Sequence, residues 1–118
     1  MNKLLLSLGL ALGIGMVSAG SVEQYVQMVG TANSQFQKSS RSFFNALDPQ
    51  QKAFNGQQQR QYCQIVQHYV DDLYQAVEKN LDIFRSQKAY SKGDVINEVL
   101  SKREMQTLAH YGVKCELK

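Results

Sequence analysis

The chain of 118 residues has no tryptophan, one proline, two cysteines and little imbalance of charge. Each shortage excludes something. A single proline, with glycine also sparse and Gln, Ala, Leu and Lys abundant, leaves little to interrupt helices. Two cysteines allow one disulfide and no dense disulfide framework. The formal charge is +3. Acids and bases alternate along the chain and form no basic stripe, so nucleic acid is not an expected partner. There is no internal repeat, and no segment has the alternation of a half-buried strand. Only one long apolar run exists, and it lies at the start.

That run, "LLLSLGLALGIGMV" at residues 4–17, follows Lys3 and precedes "VSA" at 17–19. A positive start, an apolar stretch and small residues before a cut have the layout of a secretory signal peptide. The run is shorter than the roughly 20 residues that span a bilayer comfortably. No cysteine follows it to carry lipid, and no arginine pair precedes it. Residues 1–19 are therefore expected to be a signal peptide cut after Ala19 or nearby, and residues 20–118 a single helical domain. The expected location is the bacterial periplasm or the medium, with no integral membrane segment once the leader is removed. Loss of Lys3 lowers the formal charge from +3 to +2. A domain of this size buries about two-thirds of its unfolded surface, enough for one modest core.

Val22, Val26, Val29, Asn33, Phe36, Ser40, Phe43 and Leu47 recur at steps of four and three, which marks a helix seam. Its centre is polar, so the spacing predicts either one long helix or a break near Gly30. In Asp48-Pro49-Gln50-Gln51, Asp48 can accept from free amides, Pro49 suits a first helical position and Gln51 can bond back. This predicts a helix start there, as a short helix or as the first turns of the next. Residues 57–86 read as the clearest helix, with Tyr62, Ile65, Val66, Tyr69, Leu73, Ala76, Val77 and Phe84 on one face. Phe54 falls near that face and favours continuity through Gly56. Residues 86–93 read as a loop, and both Ser91 and Asp94 offer caps. Val95, Ile96, Val99 and Leu100 form a short stripe. Ser101 to Glu104 is a second capping box at which the last helix can restart or kink. Gly112 followed by Val113 reads as a glycine stop. The expected fold is all-α, a small bundle of three to five helices with one disulfide.

The stretch "QYCQIVQHYVDDLY", residues 61–74, holds Cys63, His68, Asp71 and Asp72. A nucleophile would need Cys63 and His68 in hydrogen-bond reach. Five residues apart on a straight helix, they diverge by about 140°. His110 could approach from another helix, but no spacing supports that. Cys63-x4-His68 and His110-x4-Cys115 form a mirrored pair with the ligand types of a zinc site, yet the first pair cannot converge without unwinding. In an oxidising compartment two cysteines are read first as a disulfide. Cys63–Cys115 would close a loop of about 53 residues and stabilise the fold by roughly 4 kcal/mol. No metal or cofactor is expected. His68 with Asp71 and Asp72 reads as an ordinary charge cluster on an exposed helix face. Tyr62 and Tyr69 share the core face of their helix. Phe43 and Phe44 are adjacent, so one of them points away from the seam, towards a second packing face or an exposed contact patch.

The segment "FFNALDPQQKAF", residues 43–54, resembles the region around the LTxxQ motif of the Spy and CpxP group of periplasmic helical proteins. Leu47, Asp48 and Gln51 fall where that motif has Leu, Thr and Gln. Aspartate replaces the threonine, the group's second copy of the motif is absent, and a cysteine pair is added. The resemblance implies a helical envelope protein that holds unfolded clients or tunes a stress sensor, and it assigns no catalytic residue. The expected function is non-catalytic protein binding in the envelope, as a small chaperone or stress adaptor. The alternative is an inhibitor or immunity protein that blocks one periplasmic enzyme or toxin. An enzyme is not expected, because no acid, base and nucleophile converge in the pattern.

Overall fold

The computed structural model describes residues 16–84 and 91–118. Among them are four α-helices and no strand. These are α1 (Met16–Asn45), α2 (Gly56–Glu78), α3 (Lys92–Leu100) and α4 (Arg103–His110), with a 3-10 turn at Leu81–Phe84 after α2. The all-α reading holds. The charged start and most of the apolar run of the expected leader lie outside the described residues, as does most of the loop predicted at 86–93.

Helix α1 continues through Gly30 without a break. The polar centre survives because it is packed. Tyr69 Oη donates to Asn33 Oδ1, and the Phe36 and Tyr69 rings stack with centroids 4.3 Å apart. Further on, the Ser40 and Tyr62 hydroxyls lie 3.3 Å apart. With Met28 beside Asn80 at the other end, the pairings run in opposite chain directions, so α1 and α2 are antiparallel. The seam expected on α1 is core only in part. Val22 and Val26 are 45% and 52% exposed, because the helix outruns its partner. Cover begins with Val29 and Ala32.

The connection between α1 and α2 corrects the expected helix start. Residues 46–55 are not helical. Asp48 holds a turn instead: its Oδ1 accepts from Gln50 N at 2.9 Å and its carbonyl from Gln51 N at 2.9 Å. Helix α2 starts seven residues later, where Asn55 and Gln58 make a reciprocal capping box. Gln58 N donates to Asn55 Oδ1 at 2.8 Å and Asn55 N donates to Gln58 Oε1 at 2.9 Å. Gln51 reaches this box through its own amide, which donates to Gln58 Oε1. Gly56 is thus the first helical residue, where it costs little, and not an interior one.

Helix α2 also ends earlier than residue 86. Asn80 is fully buried, and its Nδ2 donates to the Ala76 carbonyl at 2.8 Å. That carbonyl is the one the Asn80 backbone amide would take in a continuing helix. The amide turns to Val77 O at 3.1 Å, which tightens the chain into the 3-10 turn and stops the helix.

Helix α3 starts at the Ser91 cap, with Asp94 completing the box. Val95 and Val99 join Tyr62, Val66, Tyr69 and Val70 of α2 in one core with Met105, Leu108 and Val113. The capping box expected at Ser101–Glu104 does not form. Ser101 Oγ bonds back to the Glu98 carbonyl at 2.8 Å, and Lys102 occupies the cap position of α4 with no side-chain bond. The restart itself is present. Helix α4 ends as expected at Gly112, whose φ is +82°. Val113 N reaches Leu108 O at 3.1 Å and Gly112 N reaches Ala109 O at 3.0 Å, the double closure of a Schellman stop.

Candidate functional site

Cys63 and Cys115 are joined, with S–S 2.07 Å and Cα atoms 5.3 Å apart. The tail that carries Cys115 lies along α2. Val113 is buried and Leu117 partly so. Gln67 grips the last residue twice: its Nε2 donates to Lys118 O at 2.7 Å, and its Oε1 accepts from Lys118 N at 2.9 Å. The sulfurs that a nucleophile or zinc site would need are committed to this bond. A sulfur bound in a disulfide is not the thiolate that attacks or ligates.

The His68 cluster separates. His68 Nε2 lies 3.5 Å from Asp72 Oδ2, with the imidazole 71% exposed. Asp71 turns away to Lys92 Nζ at 3.0 Å and accepts from Gln67 Nε2 at 3.0 Å. Among the described residues no group of three His, Cys, Asp or Glu side chains is placed to hold a metal ion. The described part of the chain has no helix long and apolar enough to cross a membrane.

The concave feature of most chemical interest lies elsewhere. It is a groove between the second half of α1, the 46–55 connection and α4. Its apolar base comes from an aromatic cluster. Phe43, Phe44, Phe54 and Tyr62 meet in all six pairwise combinations, with centroids from 5.1 to 6.1 Å apart. That is the range in which tilted and edge-to-face rings attract. Phe44 and Tyr62 line the groove, and so do Phe36, Leu108 and Tyr111. Phe44 is 41% and Tyr111 59% exposed, so two rings stand open to solvent at its walls.

The rim carries Arg41 from α1, Lys52 from the connection, and Arg103 and Glu104 from α4. No ion pair among the described residues engages Arg41, Lys52 or Arg103. Glu104 is the one acid in the lining, and its charge is felt inward. Burial pushes the Tyr62 phenol up from its ordinary value, Ser40 opposes that, and Glu104 adds to it. Tyr69 is raised by burial first, then by Glu104 and Glu98. Both phenols therefore stay protonated well into alkaline conditions, and neither is a base at neutral pH. Polar groups that can make hydrogen bonds (Gln37, Ser40, Gln51 and Thr107) are set along the same groove.

The sequence pointed to one ring of the Phe43–Phe44 doublet facing away from the seam, towards a second packing face or an exposed contact patch; that ring is Phe44, which is exposed and lines the groove. The sequence did not point to Arg41, Lys52, Arg103 or Tyr111. These come from three separate segments and share no spacing. Comparison with known proteins finds no matching family model, no matching curated protein and no matching solved structure.

Proposed function

We propose that the chain is a non-catalytic, exported helical protein of the bacterial envelope that binds other proteins, as a small chaperone or stress adaptor. The observation that carries this reading is the open groove with aromatic walls and, on its rim, three cations that form no ion pair among the described residues. Exposed rings beside polar rims are surfaces that proteins use to hold partners. The disulfide is compatible with an oxidising compartment. The apolar leader and the local likeness to the LTxxQ-motif proteins support the same location and class.

The test is suppression of aggregation. The purified protein is mixed with several chemically unrelated unfolding proteins, and light scattering is followed. Reduced scattering for most of them supports the proposal. No effect on any, together with stoichiometric complex formation with a single envelope enzyme or toxin, overturns it in favour of a dedicated inhibitor.

A further inference from the structure

Resting on that reading, we infer that the groove between α1 and α4 receives a short, extended peptide segment that carries carboxylates next to an aromatic or large aliphatic side chain. Four features of the groove select this occupant.

The first is charge. Arg41, Lys52 and Arg103 face the groove against Glu104 alone, and none of the three cations is neutralised within the described residues. An acidic ligand gains from all three, whereas a basic one meets repulsion on most of the rim. Two of the three are arginines, which pair with carboxylates bidentately.

The second is the apolar wall. Phe44 and Tyr111 are exposed, while Tyr62 beneath is 1% exposed and rigidly held by its three ring neighbours. Large apolar side chains of a ligand can be covered there without moving the core. The third is the pair Gln37 and Thr107, polar groups of the lining whose side chains make no hydrogen bond among the described residues, unlike Ser40 and Gln51, which are already paired. A peptide backbone satisfies such groups as it covers them. A fatty-acid chain would bury them unpaired, and that costs binding free energy. This favours a peptide over an anionic lipid, although both offer a carboxylate beside apolar matter.

The fourth is accessibility. The groove is open to the surface and is not an enclosed cavity, so an internal segment of an unfolded chain can enter it without threading a terminus.

The experiment is fluorescence anisotropy of the intact, oxidised protein with a short labelled peptide. The peptide has acidic residues flanking a phenylalanine and a leucine, and a matched peptide has lysines in place of the acids. The acidic peptide is expected to bind at least about tenfold more tightly, and its affinity to fall with added salt. The double charge reversal Arg41→Glu with Arg103→Glu is expected to remove that preference. Lys79→Glu, a reversal of an exposed charge outside the groove lining, is expected to keep it. Unchanged circular dichroism shows that the variants fold. Equal binding of both peptides, or full binding by the double reversal, overturns the inference. So does displacement of the peptide by laurate at lower concentration than by unlabelled peptide, which would assign the groove to an anionic lipid. The two proposals fail separately. Aggregation suppression that persists in the double reversal leaves the chaperone reading standing without this groove. Selective peptide binding without any suppression leaves the groove standing without a chaperone.

Discussion

At the scale of single residues, the core is held by tyrosines whose hydroxyls have partners in α1. Tyr62 is 1% and Tyr69 4% exposed, and each places its oxygen against a polar side chain of the opposing helix. This arrangement explains how Asn33 and Ser40 occupy a helix seam that a purely apolar pattern would fill with Leu or Val. It also ties stability to alkaline pH. Folding raises both phenol pKa values above the unfolded value of about 10. The native state therefore holds its protons more tightly. The associated stability is fully present below pH ~10 and is lost as pH rises through the unfolded and then the folded values. Thermal melts should show a falling midpoint above that pH, and Tyr62→Phe should flatten the fall. A midpoint equally steep in the variant would assign the alkaline loss to other groups. At this scale the sequence was a good guide, since burial of Tyr62, Val66, Tyr69, Ala76 and Val77 follows from their spacing alone.

At the scale of elements, the chain holds more capping patterns than the fold uses, and the one at Asn55–Gln58 was missed in the sequence. Asp48–Gln51, Asn55–Gln58, Ser91–Asp94 and Ser101–Glu104 all have a capping residue three places before a Gln, Asp or Glu. Only the second and third close reciprocally. Asp48 spends its oxygens on a turn that brings Phe54 back onto Phe43 and Phe44. Ser101 spends its hydroxyl on the preceding helix. Tertiary packing decides which competing local bond survives, and no local pattern carries that information. The stop at Asn80 is of the same kind, because it depends on a side chain being buried deeply enough to outcompete a backbone amide. Two glycines separate local from global effects. Gly30 lies inside α1 and Gly112 has φ +82°; a Cβ added at either would meet no atom within 4 Å. Gly30→Ala should stabilise by up to about 1 kcal/mol through helix propensity. Gly112→Ala should destabilise by about 1 kcal/mol because its backbone is left-handed. Chemical denaturation of the two variants checks the opposite signs.

At the scale of the whole molecule, α4 is short and depends on what surrounds it. One end is tied to α3 by the Ser101–Lys102 corner, and the other passes through Gly112 to the disulfide. The bond, worth roughly 4 kcal/mol on the chain-entropy estimate, anchors the segment just beyond α4 and its cap residue, which supply Arg103 and Tyr111 to the groove. The groove was illegible in the sequence for this reason. Its walls meet only after α1 and α2 pair and the tail is tied to α2, so its residues have no common period or motif. The disulfide was legible, because two cysteines in a small chain leave one simple pairing.

That pairing divides the molecule topologically. Residues 63–115 form a covalent macrocycle holding most of α2 and all of α3 and α4, and α1 is a linear arm lying outside it. A single protease nick within the circle should leave one species on a non-reducing gel and two after reduction. A nick in residues 46–55 should free the arm under either condition. If circle-nicked pieces part without reductant, the closure is wrong. If they stay together, the arm is the one large element that two copies could exchange without breaking a covalent bond.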